Sequence, residues 1–269
     1  MKQWCVHMKN CSDVEIAFLG IKLTPLTIQQ LNGKVYESIK NQSRNIIANH
    51  NFHSLYLCQH DQKLRRFFAN AAWTHIDGMS LVFIARLLGY RIAKEKRVTY
   101  VDWLRPLMAE AKKNEWRVFF LGSRPGVGEE SSKILVREYS GLNLCAHHGY
   151  FDCSPGSEEN QRILRIINSF RPNILMVGMG MPRQEHWILD NLASLDANVI
   201  LPAGACMDYV AGTISTPPRW MGRVGLEWLY RLVSEPKRLG RRYLVEPWFM
   251  AGLLLKEISQ HIVGKRQAK

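Results

Sequence analysis

Along the chain, short apolar runs alternate with stretches in which apolar positions recur every three or four residues. The runs predict strands at residues 16–19, 44–48, 73–76, 116–121, 142–147, 173–177 and 198–201. The three-to-four spacing predicts helices over 27–40, 61–69, 79–88, 101–113, 125–139, 158–170 and 182–192. Thr27 is placed to cap the first of these, and Gly89 to close the third. Regular alternation of this kind implies the α/β class: a Rossmann-like parallel sheet with helices on both faces. Strand signals stop near residue 216, and the rest of the chain reads as a C-terminal helical appendage. The expected organisation is an N-terminal extension (1–15), an α/β catalytic core (16–216) and the appendage (217–269).

Parallel sheets bind ligands beyond the carboxyl ends of their strands. The loops there carry Asn49 and Asn51, Asp77, Gly122 and Ser123, Tyr150, Gly178, Gly180 and Arg183, and Asp208, all taken as substrate-facing candidates. Gly122-Ser-Arg-Pro-Gly follows a strand and opens a helix, where backbone can approach an anion closely. A tight turn explains that loop equally well. Gly178-x-Gly180 resembles a dinucleotide fingerprint, yet Arg183 stands where the third glycine belongs. Arg183, Gln184 and Glu185 are too polar for a helical turn that merely packs. Asp77 either caps the helix after it or works as a general base at the sheet edge. No Asp-x-Asp occurs, so the Mg²⁺- or Mn²⁺-holding motif of many nucleotide-sugar enzymes is absent, and charge on any leaving diphosphate would need arginines instead; no metal and no cofactor are expected.

Composition narrows the classes. The 269 residues are 46% hydrophobic and 22% charged, ordinary for a globular chain. No apolar run approaches the ~20 residues of a membrane span, and the first twenty residues hold no signal-peptide core. The net charge of +13 asks for an anionic partner: nucleic acid, a membrane surface or a phosphorylated substrate. More than half of that surplus lies in residues 219–269, which hold 11 Lys/Arg against 4 Glu. Trp220, Trp228, Tyr230, Tyr243, Trp248 and Phe249 lie there too. Met250, Leu254, Ile258 and Ile262 recur every four residues, a stripe that predicts an interfacial helix on an anionic membrane surface. The six cysteines form no C-x-x-C pair and read as reduced, mostly buried thiols.

Taken together the motifs resemble bacterial glycosyltransferase family 26. That family includes the wall teichoic acid N-acetylmannosaminyltransferases, the enterobacterial common antigen N-acetylmannosaminuronic acid transferases and the xanthan-type β-glucosyltransferases. The resemblance rests on Asp77-Gly-Met, Ala85-Arg-Leu-Leu-Gly89, Arg97-Val-Thr99, Phe119-Phe-Leu-Gly122 and His148-Gly-Tyr-Phe151. Gly178-x-Gly-x-Pro-Arg-Gln-Glu-x-Trp187, Gly204-x-x-x-Asp208-x-x-Ala-Gly212 and Leu226-Glu-Trp-Leu-Tyr-Arg-Leu232 extend it, with Glu235-Pro and Arg241-Arg-Tyr at its end. It covers nearly the whole chain. It implies an inverting, metal-independent transfer from a UDP-sugar to a polyprenyl-diphosphate-linked sugar acceptor, in exopolysaccharide or cell-wall polymer biosynthesis. It also implies a cytoplasmic protein, peripheral on the inner face of the bacterial inner membrane.

Carried onto this sequence, the resemblance makes Asp77 the catalytic base. It has Arg97 and Gln184 contact donor or acceptor, with Thr99 beside Arg97. It brings Arg231, Arg238 and Arg241 to the diphosphate. The chain departs from the family pattern at Asn49, where a threonine is usual, and at Tyr100, where a glycine is usual. Two rivals come from other classes. A nucleic-acid-binding domain is suggested by charge alone, with no RRM, KH or helix-turn-helix signature. A nicotinamide-dependent oxidoreductase is suggested by Gly178-x-Gly180. The sequence leaves the donor sugar, and whether the chain is a homo-oligomer, open.

Overall fold

The computed structural model describes residues 15–218, 220–221 and 225–267, with the side chains of Arg238 and residues 258–267 excepted. Most of the N-terminal extension with Cys5 and Cys11, Arg219, and the side chains of Arg238, Ile258 and Ile262 therefore lie outside the described residues.

A six-stranded sheet forms the centre, in the order β4-β3-β8-β7-β5-β6. Its strands are β3 (Asn45–His50), β4 (Trp73–Ile76), β5 (Arg117–Gly122), β6 (Asn143–His147), β7 (Ile174–Gly178) and β8 (Val199–Pro202). Every neighbouring pair is parallel. Successive residues of one strand enter opposite cores: Ile46 and Ala48 join one apolar cluster, Ile47 the other. Burial on both faces explains why these strands are apolar runs rather than alternating ones.

One face is covered by α1 (Ile28–Lys40), α5 (Tyr100–Lys113), α6 (Val127–Glu138) and α9 (Cys206–Val210). The other carries α2 (Phe52–His60), α3 (Gln62–Asn70), α4 (Met79–Leu87), α7 (Glu158–Phe170) and α8 (Arg183–Asn191). Thr27 caps α1 through a capping box with Gln30, and Gly89 follows α4 with φ 90°. The strand expected at 16–19 forms outside the main sheet, as β1 (Ile16–Phe18) in an antiparallel hairpin with β2 (Ile21–Leu23). The α6 helix starts two residues later than expected because Gly126 adopts the left-handed conformation before it.

Beyond residue 226 come α10 (Glu227–Ser234), α11 (Pro236–Leu244) and α12 (Glu246–Gln267). They form the expected C-terminal helical segment and are anchored to the core. The His53 ring bonds the Glu246 carboxylate at 2.9 Å, and Phe249 packs edge-on to Tyr56 with centroids 5.4 Å apart. Met250 is fully buried in the core cluster, with Leu253 and Leu254 packed against it. This corrects the expected membrane stripe: Met250 and Leu254 face the protein. The outward apolar side chains include instead Trp228, Leu229 and Val233 on α10, Leu244 on α11, Val245, and Trp248, part of Phe249 and Leu255 on α12. Among the described residues no helix is long and apolar enough to cross a membrane.

Candidate active site

Three loops at the carboxyl edge of the sheet are drawn unusually close. A Cβ on Gly122 would meet the Gly178 carbonyl oxygen at 2.3 Å, and one on Gly178 would meet the Gly204 oxygen at 2.5 Å. Only glycine permits β5, β7 and β8 to converge there. Ser123, with φ 57°, donates its backbone N–H to the Gly178 carbonyl at 3.0 Å and its hydroxyl to Asp208 Oδ2 at 2.7 Å. The Gly122–Ser123 turn and Asp208 are thus one hydrogen-bonded unit.

Beside it, at the ends of β3 and β4, lies the charged centre. The Asp77 N–H donates to the His50 carbonyl at 2.8 Å, which continues the ladder one residue past β4. Its carboxylate does not cap α4, because Gly78 holds the N-cap position and no side-chain bond is made there. Asn49 Nδ2 donates to Asp77 Oδ2 at 3.2 Å, while Asn49 Oδ1 is enclosed without a partner among the described residues. Burial raises the Asp77 pKa above the usual carboxylate value; Arg97, Arg231 and Arg242 oppose that rise, and Glu227 adds to it. A carboxylate in that balance is a stronger base than an exposed one.

Arg97 is brought to Asp77 by backbone pairing: it bridges Ile76 in parallel register, and the next residue, Val98, donates its N–H to the Ile76 carbonyl at 2.8 Å. Its Nη2 donates to both Glu227 carboxylate oxygens, at 2.7 and 2.6 Å, and Nη1 lies 3.7 Å from Asp102. Thr99 donates its hydroxyl to the same Asp102 at 2.9 Å. Arg231 is held charged: burial opposes the charge, and Tyr209, Tyr243, Asp77 and Glu235 outweigh it.

The structure thus unites Asn49, Asp77, Arg97 and Arg231. Other expected residues stand elsewhere. Gln184 is buried and fully used: its Oε1 accepts the N–H of Gly180 at 3.1 Å and of Gly204 at 3.2 Å, and Nε2 donates to Glu185 Oε1 at 2.7 Å. It clamps two glycine loops together. Asn51 caps α2, its side chain accepting from Ser54 N at 3.0 Å. Arg183 reaches outward to the Phe151 carbonyl and the Cys153 sulfur, both at 3.1 Å, near exposed Tyr150. Arg241 is exposed.

The residue that turns inward from α11 is Arg242, whose pKa burial lowers and which acts electrostatically on Asp77. Arg231 and Arg241 lie on separate helices, because α10 ends at Ser234 and Pro236 opens α11. The Ser234 hydroxyl donates back to the Tyr230 carbonyl at 2.9 Å. Glu227, Tyr209 and Tyr243 were also not expected. Only the Leu226-Glu-Trp motif pointed toward the first of them.

Two buried histidines of β3 and β4 lie among aromatic rings. His50, stacked 3.7 Å from Phe68, is held neutral by burial down to about 3, and His75 in the same way to about 4. Burial pushes the Glu185 carboxyl up to about 7. Cys58, Cys145, Cys153 and Cys206 are free thiols, and burial pushes Cys58 up to about 12. Among the described residues no three His, Cys, Asp or Glu side chains are grouped to hold a metal ion.

A family model described as the glycosyl transferase WecG/TagA/CpsF family matches residues 16–262. The chain is similar to an N-acetylglucosaminyldiphosphoundecaprenol N-acetyl-beta-D-mannosaminyltransferase of Staphylococcus aureus strain MRSA252. The two are 27% identical over 234 residues, which is 86% of this chain and 89% of that protein. Proteins of the same name from strains MW2 and COL are each 26% identical over the same shares.

Proposed function

The chain belongs to the WecG/TagA/CpsF glycosyl transferase family, and from that premise we propose an inverting transfer of a sugar from a UDP-sugar to a polyprenyl-diphosphate-linked sugar, without a metal ion. The observation that carries the reading is the Asp77 carboxylate, held by Asn49 at the carboxyl edge of the sheet and faced by Arg97, Arg231 and Arg242. A base and a cluster of guanidiniums side by side are what such a displacement needs.

In this mechanism Asp77 takes the proton of the acceptor hydroxyl. The oxygen attacks C1 of the donor sugar on the face opposite the nucleotide. The bond from C1 to the phosphate oxygen breaks, and the diphosphate leaves with the electron pair. Its growing charge is met by guanidinium groups already fixed in a poorly hydrated site, where they act most strongly. Ser123, Asp208 and the close-set glycines shape the neighbouring wall, and the Gln184 clamp keeps that wall in place. General-base catalysis of this kind contributes about 10²–10⁴ in rate.

The relatives from Staphylococcus aureus support a lipid-linked acceptor, since they are named for a transfer onto N-acetylglucosaminyldiphosphoundecaprenol. A protein serving such a substrate works as a peripheral protein on the inner face of the bacterial inner membrane. The outward Trp228, Val233, Leu244, Trp248 and Leu255, among the basic residues of the last helices, supply a surface suited to it. The test is transfer assayed over a panel of UDP-sugars with polyprenyl-diphosphate N-acetylglucosamine, by separation of the glycolipid products. A new glycolipid from one of UDP-glucose, UDP-N-acetylmannosamine or its uronic acid is expected. Absence of product with every donor, under conditions where the chain is folded, overturns the proposal.

A further inference from the structure

Glu227 stands in the middle of the cationic site without a part in the transfer chemistry. It is the first residue of α10, and both of its carboxylate oxygens accept from Arg97 Nη2, at 2.7 and 2.6 Å. It also adds to the upward push on the Asp77 carboxyl, so its charge lies close to the base. Placing one acid beside another is costly unless the first has a job there.

The pairing is incomplete on the arginine side. Arg97 Nε is enclosed and has no hydrogen-bond partner among the described residues, and the same holds for Arg231 Nε. An enclosed guanidinium N–H left unpaired is costly. A carboxylate offers two oxygens. A diphosphate offers more, in tetrahedral arrays that guanidinium forks match well. The closed arrangement therefore leaves guanidinium donors that Glu227 does not satisfy, enclosed while it is seated, and a larger anion that displaces it suits them.

We propose that Glu227 is a placeholder for the donor's phosphates: between turnovers it keeps the Arg97 guanidinium in position, and it yields Arg97 when a nucleoside diphosphate arrives. This rests on the reading of Arg97 as a donor-contacting residue. Glu227 is thus a positioning residue that competes with substrate for one arginine. Because it heads α10, its release also frees the start of the segment that carries Arg231. The exchange couples occupancy of the phosphate site to the seating of that helix. The competition lowers the apparent affinity for the donor by the fraction of time the Arg97–Glu227 pair is closed.

The experiment is isothermal titration of UDP, and separately of uridine, into the full chain, E227Q and E227D, with far-UV circular dichroism as the check of folding. Removing the competing charge should tighten UDP binding about threefold or more in E227Q. E227D, whose shorter side chain reaches Arg97 less well, should move the same way by a smaller factor, and it decides the matter if E227Q does not fold. Uridine, which carries no phosphate, should bind both variants as it binds the parent. KM for the donor should fall in E227Q without a rise in kcat. Equal or weaker UDP binding by the variants overturns the proposal, as does an equal tightening for uridine, which would mean a merely reshaped pocket. A parent chain that binds neither UDP nor uridine would instead sink the sugar-nucleotide reading itself, and this inference with it.

Discussion

Acid should loosen the strands that carry Asn49 and Asp77, and His75→Phe should reveal it. His50 and His75 are fully buried on adjacent strands, where Asn49 pairs with His75 and His50 with Ile76. Burial keeps both rings neutral in the folded chain, to about 3 and about 4. In the unfolded chain each protonates near the ordinary value of about 6.5. The folded state therefore binds fewer protons below neutrality, and stability falls as pH drops below 6.5. Between pH 7 and pH 5 each ring removes about 2 kcal/mol, and the two together about 4 kcal/mol.

Phenylalanine suits position 75. The ring packs edge-on to Trp103 at 5.5 Å and Tyr100 at 6.4 Å, and its polar neighbours are the backbone groups of Ile76 and Val98 rather than any side chain. Urea unfolding at pH 7 and pH 5 is the assay. His75→Phe should equal or exceed the parent at pH 7, and its advantage should grow by about 2 kcal/mol at pH 5. Parallel pH dependence in parent and variant would refute the reasoning.

Met250→Ala should cost about 2–5 kcal/mol by thermal or urea unfolding, because its side chain is in the core cluster. Trp248→Ala, at a site 81% exposed, should change stability by less than about 0.5 kcal/mol while reducing sedimentation with anionic liposomes. Arg242→Ala should lower kcat/KM about tenfold or more, as loss of a charge-assisted contact requires, whereas Arg241→Ala, on the exposed side of α11, should stay near the parent. Transfer should survive EDTA; abolition by EDTA with rescue by Mg²⁺ or Mn²⁺ would remove arginines from the leaving-group role.

The sheet was legible because strands buried on both faces must be apolar runs, and because Thr27 and Gly89 mark helix ends by their own chemistry. The α2 helix was not legible. Residues 52–60 carry no apolar stripe, and the helix begins instead from the reciprocal Asn51–Ser54 cap, so Asn51 read as a ligand loop. That Asp77 and Asn49 share one edge was legible because the carboxyl ends of neighbouring parallel strands lie together. Gln184 was expected to contact donor or acceptor from the family resemblance, and because Arg183, Gln184 and Glu185 are too polar for a turn that merely packs. The backbone N–H groups of Gly180 and Gly204 claim it instead, and sequence does not display unpaired backbone donors. Arg242 was missed for a geometric reason: a break at Pro236 is legible in sequence, but which face of the helix after it meets the core is not. The stripe of Met250 and Leu254 was correctly seen as apolar, but period alone does not say whether a core or a membrane covers it.

The central claim is that Asp77 is the base in transfer to a lipid-linked sugar. It is tested most directly by single-turnover transfer with the parent and Asp77→Asn, in EDTA, with UDP affinity measured alongside. The expected result is a rate lower by about 100-fold or more with UDP binding little changed. A near-normal rate in Asp77→Asn would contradict it.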